Sequence, residues 1–280
     1  MQATAEDREL DALLDAVRAR TGIDFRGYAR STVRRRVAEA ASRKGAGGLA
    51  GLRTRALSEP AWMAQVLEAL CVSVTAMFRD AELFRAFRAV AVPRLRDAGP
   101  LRAWCAGCAT GEELWSLAIV LEEEGLGERA RLYGTDLSPV ALDAAWRGLL
   151  PLARMREYTA AYQRAGGVSE FSAYYVAAPE GDVVRERLRR GAVFGPHDLT
   201  ADPPPGSFDV VFCRNVLIYL LPAAQERVQG QLARAVRPGG ILALGRAEAL
   251  LAPFAGAFEE LDGRQRLFVR TDRAAGPDAV

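Results

Sequence analysis

The chain has 280 residues, half of them hydrophobic, and a formal net charge of only +2. This length suits one large domain, or a small domain followed by a medium one, with a sizeable core. The chain contains no apolar run long enough to span a membrane, and its N-terminus is acidic and polar where a signal peptide is basic and then apolar. We therefore expect a cytoplasmic protein without membrane insertion.

The four cysteines, Cys71, Cys105, Cys108 and Cys213, lie in apolar contexts and are too few for a disulfide framework. Cys105 and Cys108 have the C-x-x-C spacing of a metal or redox pair. The chain has no second such pair, and its only histidine is His197. We therefore expect no metal. We interpret His197, which follows a proline, as a surface or loop residue rather than a general base.

Short helices are predicted from the N-terminus to about Val72, with no strand signal. Apolar residues recur at helical spacing in the first helix, which ends at a Thr21-Gly22 break. A glycine cluster follows the arginine-rich second helix, and Pro60 opens another helix. Residues 25–58 contain nine Lys or Arg residues and only one acidic residue, Glu39. Such a surface can bind a nucleic acid or an acidic protein, or it can be an ordinary solvated helix face.

Residues 101–121, LRAWCAGCATGEELWSLAIVL, are typical of a strand, a glycine turn and a helix in direct succession. Gly107 and Gly111 allow a ligand to approach the backbone closely, and the start of the helix offers unpaired N–H groups. The three-glycine dinucleotide fingerprint is missing, and Glu112 and Glu113 stand where a pyrophosphate would lie. The loop therefore disfavours NAD and favours a cationic cofactor such as S-adenosylmethionine (SAM).

Strand-like and helical runs alternate from residue 101 onward, which predicts an α/β fold with a doubly wound, mostly parallel sheet. The predicted strands cover residues 101–105, 131–135, 192–194, 208–213 and 241–245. Residues 151–190 are too long for a simple connection and are interpreted as an inserted subdomain. FEELD and RLFVR near the C-terminus predict a closing antiparallel pair, and the polar tail at 271–280 is expected to be disordered.

Polar residues follow three of these strands, at the sheet edge where a doubly wound fold binds its ligand. Asp136 can accept both hydroxyls of a ribose, or it can cap the next helix. Asp198 and Leu199 can hold an adenine, although Asp198 can equally be a turn residue. Arg214 and Asn215 directly follow a buried apolar run, which points them toward a ligand cleft.

Two further features have alternative interpretations. Tyr219 comes four residues after Asn215, so it either faces the same cleft or belongs to the core. The segment Asp202-Pro203-Pro204-Pro205 is similar to the acid-Pro-Pro-aromatic motif of enzymes that methylate amino groups of bases. It precedes the fourth strand and has no aromatic residue, so we interpret it as a linker.

Five segments, in order, resemble the CheR family, the SAM-dependent methyltransferases of bacterial chemotaxis receptors. They are SVTAMFRD (73–80), AGCATGEE (106–113), GTDLSPVALDAA (134–145), FDVVFCRNVLIYL (208–220) and RPGGILALGRAEAL (237–250). TGIDFRGYARSTVRRRV (21–37) resembles the family's helical N-terminal domain, which faces the receptor in relatives. The resemblance extends from about residue 8 to about 270.

The resemblance implies a helical substrate-docking domain at 1–78 and a Rossmann-like class I SAM-dependent methyltransferase domain at 79–270. It implies docking through Arg34, Arg35 and Arg36, and places Arg79 and Tyr219 nearest the reacting methyl group. The implied SAM contacts are Ser73, Thr75, Arg79, Glu113, Asp136, Asp198, Leu199, Arg214 and Asn215.

Several positions depart from the family's usual pattern. Ser73 stands where asparagine is common, and Asp198 replaces an asparagine before Leu199. Both keep hydrogen-bonding ability, so SAM binding is expected to survive. Leu114-Trp115 replaces Pro-Tyr and Arg246-Ala247-Glu248 replaces His-Ser-Glu, which bears on packing and substrate fit.

The implied activity is methyl transfer from SAM to glutamate carboxylates in the cytoplasmic domain of methyl-accepting chemotaxis receptors, with S-adenosylhomocysteine as the product. We expect a monomer that binds no nucleic acid. The alternatives are a nucleic-acid methyltransferase, for which the arginines would bind phosphates, and a catalytically silent regulator that binds SAM as a signal.

Overall fold

The computed structural model describes residues 4–97, 99–179 and 181–272. Contacts between residues divide the chain into two units. The first comprises Met1–Val72 and Tyr219–Gln225, and the second comprises Ser73–Ile218 and Glu226–Val280. Residues 273–280 of the predicted tail lie outside the described residues. No helix in the described part of the chain has both the length and the apolar character needed to cross a bilayer.

The first unit contains helices whose ends follow from local sequence signals. Thr4 caps the first helix through a reciprocal capping box with Asp7, and Gly22 ends it with a φ of 79°. Pro60 occupies the first turn of the fourth helix, as predicted. The helices are α1 (Ala5–Thr21), α2 (Arg30–Arg43), α3 (Gly48–Ser58) and α4 (Pro60–Leu70).

The second unit contains all ten strands of the described residues. The strands are β1 (Leu101–Ala106), β2 (Ala130–Asp136), β3 (Leu149–Leu150), β4 (Tyr175–Ala178), β5 (Gly181–Val184), β6 (Ala192–Pro196), β7 (Phe208–Cys213), β8 (Val236–Leu244), β9 (Phe258–Asp262) and β10 (Leu267–Arg270). The further helices are α5 (Ala81–Ala86), α6 (Val92–Leu95), α7 (Glu112–Glu123), α8 (Pro139–Arg147), α9 (Met155–Arg164), α10 (Glu186–Arg189), α11 (Pro222–Ala235), which begins in the first unit, and α12 (Ala252–Ala255).

The main sheet has seven strands in the order β6-β2-β1-β7-β8-β10-β9. The first five are parallel, and β10 is antiparallel to both of its neighbours, β8 and β9. This confirms the predicted doubly wound sheet and its antiparallel closing pair. The chain proceeds from β1 to β2 on one side and later returns to β7 on the other, so the strand order reverses between β1 and β7.

Burial in this sheet accounts for the apolar runs in the sequence. Five of the six residues in both β1 and β7 are buried, and α7 is buried without interruption from Leu114 to Leu121. A parallel strand covered on both faces has no polar side, which is why these runs do not alternate. Strand β8 is longer than predicted, because it already begins at Val236 and includes Arg237-Pro238-Gly239-Gly240 as an irregularity.

A second sheet, three-stranded and antiparallel in the order β3-β5-β4, takes two of its strands from the segment predicted to be an insertion. The aromatic residues of that segment join the core of the second unit. Phe78 makes edge contacts with Tyr162 and Phe171, with ring centroids 5.3 and 6.3 Å apart. The insertion therefore packs into the main core instead of extending from it.

A buried carboxylate fastens the insertion to α7. The Glu123 side chain is 3% exposed and pairs with Arg88. It accepts hydrogen bonds from the hydroxyls of Tyr162 and Tyr174, the latter at 2.7 Å, and from Val168 N at 3.2 Å. Burial raises the pKa of Glu123, but the two hydroxyls and Arg88 outweigh burial and hold the pKa below its ordinary value.

We expect Glu123→Gln to lower the free energy of unfolding by about 2–4 kcal/mol near neutral pH, because Arg88 loses the more buried of its two acidic partners, Glu123 and Glu124. A carboxyl whose pKa is lowered by folding contributes stability above its unfolded pKa and loses it as pH falls through the folded value. The difference between wild type and variant should therefore shrink in acid. Urea unfolding at several pH values measures it, with Glu259→Gln on an exposed strand position as the control. A pH-independent difference would contradict the assignment.

Candidate functional site

The glycine loop after β1 is held against the end of β2. The backbone N–H groups of Gly107 and Cys108 donate to the carbonyl of Thr135 at 2.8 and 2.9 Å. A Cβ at Gly107 would come within 2.6 Å of Val216 Cγ2, so only glycine allows the loop after β7 to approach this closely. Gly111, with a φ of 92°, precedes the first turn of α7. The two loops at the strand-order reversal are therefore in contact.

Asp136 joins the glycine loop to the start of α8. Its two carboxylate oxygens accept hydrogen bonds from Ala109 N at 2.8 Å and from Ser138 N at 2.9 Å. The N-cap of α8 is Ser138, whose hydroxyl accepts from Ala141 N, so the helix-cap alternative for Asp136 is wrong. Burial raises the pKa of Asp136, and the backbone N–H groups oppose that increase.

Arg214 places its buried charge between two acids. Its side chain is 0% exposed, pairs with Glu113 and contacts Asp80 at 2.5 Å. One guanidinium therefore serves two carboxylates, and Asp80 has a second cation, Arg246, at 3.9 Å. Burial raises the pKa of Glu113, while Arg214 and Arg79 oppose that increase. The two acids in the first turn of α7, Glu112 and Glu113, favour a cation over a pyrophosphate at this loop.

Arg79 lies between two anchored residues. Both Phe78 and Asp80 have positive φ values, 52° and 56°, which are strained for residues other than glycine. Phe78 N donates to the Ser116 hydroxyl at 2.7 Å, and Asp80 is paired with Arg214. The Arg79 carbonyl accepts from Arg214 at 3.2 Å. These contacts fix the backbone of Arg79, while its half-buried guanidinium donates to the Val74 carbonyl at 3.3 Å.

Asn215 occupies the left-handed region with a φ of 59°. Its side-chain Oδ1 is buried and has no hydrogen-bond partner among the described residues. A buried acceptor without a partner is uncommon and costly, and it points to a group that a ligand would supply. Glu248 accepts hydrogen bonds from the backbone of this loop, at Asn215, Val216 and Leu217.

The residues after β6 have local partners. Asp198 Oδ1 accepts from the backbone N and the hydroxyl of Thr200 at 2.8 and 2.7 Å, as in the predicted turn alternative. Leu199 is buried beside it. His197 is in a loop but it is buried rather than at the surface, because its ring lies edge-on to Trp104 and its Nε2 is 2.9 Å from the Pro203 carbonyl oxygen.

Two residues of the predicted insertion, Arg154 and Tyr158, contact segments that carry predicted site residues. Arg154 Nη1 donates to the Thr75 carbonyl at 2.6 Å, in the segment that begins at half-buried Ser73. Tyr158 donates to Glu112 at 3.2 Å, and Glu112 also accepts from the Thr110 hydroxyl at 2.6 Å. The two glutamates at the start of α7 therefore have different partners. Glu112 is bound by two hydroxyl groups, and Glu113 is paired with Arg214.

Four of the predicted residues lie in the first unit. The Tyr219 carbonyl accepts from Ala29 N at 2.8 Å. Arg34 pairs with Asp7 of α1, and Arg36 donates to the carbonyls of Ala69 and Cys71 at the end of α4. Arg35, which is 60% exposed, pairs with Glu39 one turn away on α2.

The cysteine pair shows no sign of thiolate chemistry. Cys105 and Cys108 are free and buried, and burial raises the pKa of each thiol well above its ordinary value. Within the described residues no cluster of three or more His, Cys, Asp or Glu side chains could hold a metal ion.

Sequence reasoning assigned no role to Glu248, Arg154 or Tyr158. Glu248 lies four residues beyond the end of β8, on the turn after this buried strand, so it is farther from its strand than Asp136, which is the last residue of β2. Arg154 and Tyr158 carry no signal from a strand end, because they reach the site from an insertion whose packing the local sequence does not specify.

Comparison with known proteins gives two family matches that together cover most of the chain. Residues 73–266 match the CheR methyltransferase SAM-binding domain, and residues 8–71 match the CheR methyltransferase all-alpha domain. A Pseudomonas putida protein named as a methyltransferase, Cher3, is 37% identical over 263 residues, which is 94% of this chain and 96% of the relative. Chemotaxis protein methyltransferase 2 of Pseudomonas aeruginosa is 32% identical over 196 residues, or 68% of each chain.

Among solved structures, the glycopeptide N-methyltransferase MtfA in complex with sinefungin is similar, with a TM-score of 0.37 and 15% identity. The match covers 71% of this chain and 59% of that one. The strand order, the loops at its reversal and the two family matches agree, and this chain belongs to the CheR methyltransferase family.

Proposed function

We propose that this protein transfers the methyl group of SAM to glutamate side-chain carboxylates in the cytoplasmic domain of methyl-accepting chemotaxis receptors. The observation that carries the proposal is the negative charge of Glu113 and Asp136, whose carboxylates lie at the glycine loop of the strand-order reversal. That charge suits the ammonium and sulfonium groups of SAM. The names of relatives, chemotaxis protein methyltransferases from Listeria innocua and Pseudomonas aeruginosa, support a chemotaxis substrate.

The residues at the two loops fit SAM. The unpartnered Oδ1 of Asn215 is an acceptor that a ligand can satisfy. Each oxygen of Asp136 accepts one backbone N–H, which leaves further lone pairs for ribose hydroxyls. Glu113 is assigned to the methionine ammonium. The remaining proposed contacts are Ser73, Thr75, Arg79, Asp198, Leu199 and Arg214, with Gly107 and Gly111 shaping the loop.

The chemistry requires alignment more than proton transfer. SAM supplies an electrophilic methyl group on a positively charged sulfur. A glutamate side chain, with an ordinary pKa near 4.3, is already a carboxylate at neutral pH, so the enzyme needs no general base. Arg79 is the proposed clamp, because a guanidinium can fork onto a carboxylate and its backbone is fixed on both sides. Tyr219 is the second residue proposed to orient the acceptor.

Receptor docking is assigned to the arginine-rich helix α2. The contacts of its three arginines favour Arg35 as the residue that binds the receptor. Arg34 and Arg36 are engaged with Asp7 and with the end of α4. Arg35 is the most exposed of the three, and its partner Glu39 is on the same helix, so it can exchange that contact for an acidic receptor surface.

Arg79→Ala is expected to reduce methyl transfer by about 100-fold or more, because the acceptor loses its alignment, while SAM affinity changes far less. Turnover with receptor-containing membranes and calorimetric titration with SAM measure the two effects separately. Arg85→Ala, an exposed arginine on α5, is the matched control and should alter neither. If SAM affinity fell as much as turnover, Arg79 would be a cofactor residue only.

The product itself is testable. Incubation with radiolabelled SAM and membranes from the protein's own organism should label a receptor-sized protein, and mild base should release the label as methanol, because a glutamate methyl ester hydrolyses readily. Label that survives base would exclude the ester. Label in nucleic acid would favour the nucleic-acid methyltransferase instead.

SAM affinity is expected to rise with pH through the raised pKa of Glu113 and then level off, because a bound cation favours the ionised carboxylate. Titration calorimetry in buffers of different ionisation enthalpy should detect proton release at the acid end of that range. Glu113→Gln should bind SAM more weakly and release fewer protons. Equal proton release by wild type and variant would place the ammonium elsewhere.

A further inference from the structure

The Glu248 carboxylate accepts several backbone hydrogen bonds at the carboxyl edge of the main sheet. Its side chain lies on the turn that follows β8, and the residue is 4% exposed. Its Oε2 accepts from Gly245 N at 2.6 Å and from Asn215 N at 3.0 Å. Its Oε1 accepts from Val216 N at 2.9 Å and from Leu217 N at 2.8 Å. One carboxylate therefore satisfies four backbone N–H groups from two loops.

This carboxylate has its own position fixed by the backbone. Glu248 N donates to the Gly245 carbonyl at 2.9 Å, which closes the turn directly after β8. No ion pair joins Glu248 to a cation within residues 4–97, 99–179 and 181–272, so its charge is stabilised by amide dipoles. Charge-assisted hydrogen bonds of this kind are stronger and more geometrically demanding than neutral ones.

The hydrogen bonds to Glu248 hold the strained part of the loop after β7. Asn215 is left-handed, with a φ of 59°, and three consecutive N–H groups, from Asn215 to Leu217, converge on the carboxylate. Three successive N–H groups can point to one acceptor only when the backbone curls around it. Gly245 makes room for this arrangement, because a Cβ there would lie 2.6 Å from Glu248 Oε2 and 2.9 Å from Asn215 N.

We infer that Glu248 is a positioning residue for SAM: it holds the Asn215 backbone in the conformation that presents the unpartnered Oδ1 to the cofactor. The inference rests on the proposed SAM site, in which Asn215 is a contact. Glu248 acts through Asn215 and the main chain, and it does not touch the cofactor.

Glu248→Gln tests this role. The substitution replaces one oxygen with an NH₂ group, which must face two backbone donors. Calorimetric titration with SAM and with S-adenosylhomocysteine should show both dissociation constants raised about tenfold or more, the equivalent of about 1.4 kcal/mol. The matched control is Asp209→Asn, which also removes a carboxylate that accepts a backbone N–H, from Arg102 at 2.8 Å, but which lies near the amino end of β7. It should lose stability and keep wild-type affinity well below its melting temperature.

A double-mutant cycle separates positioning from general destabilisation. If Glu248 acts through Asn215, adding Glu248→Gln to Asn215→Ala should change the dissociation constant by less than about twofold, because the contact that it positions is already lost. Additive losses would overturn the inference. If Glu248→Gln does not fold, as judged by circular dichroism, Gly245→Ala takes its place. Its Cβ must displace Asn215 N, and an unchanged affinity for SAM would equally overturn the inference.

Failure of the inference can be distinguished from failure of the proposed function. Wild-type protein that binds neither SAM nor S-adenosylhomocysteine would contradict both. Wild-type protein that binds both, beside folded Glu248→Gln that binds them equally well, would overturn only the role of Glu248.

Discussion

The buried guanidinium of Arg214 is the interaction on which the site depends. It comes from the loop after β7 and joins Glu113 at the start of α7 to Asp80 at the start of α5. A fully buried cation must be paired, so these three elements cannot move apart without leaving it unpartnered. The same contact fixes the backbone at Arg79, whose carbonyl Arg214 also binds. Arg214 therefore both pairs with the carboxylates of Glu113 and Asp80 and holds the backbone of the segment that carries Arg79.

The inserted subdomain belongs to that arrangement. Arg154 stacks over the Tyr158 ring, with its guanidinium carbon 4.9 Å from the centroid, and the two residues donate to the Thr75 carbonyl and to Glu112. Glu123 fastens the same insertion to the far end of α7. Because the insertion contacts both ends of α7, a displacement of the insertion would also shift the start of α7, next to the glycine loop. The insertion is a structural support for the cofactor edge.

The sequence predicted the elements and the sheet edge well, because both depend on local patterns. Buried strands appear as apolar runs, and polar residues after them, such as Asp136 and Asn215, mark the carboxyl edge. Interactions between distant segments have no such signal. The burial of His197 against Trp104, the engagement of Glu112 by Tyr158, and three of the four N–H groups on Glu248 depend on residues 31 to 93 positions apart. Only the folded chain shows them.

Glu113 and Glu248 are stabilised in different ways at this edge, and the difference has an electrostatic consequence. Glu113 is paired with Arg214, whereas Glu248 is held by backbone N–H groups that bring no net charge. The negative charge of Glu248 raises the pKa of Glu113, so it acts at the proposed ammonium position. A second arginine in place of the amides would cancel that charge. Holding Glu248 with amides lets it order the Asn215 loop while it also favours a cation beside it.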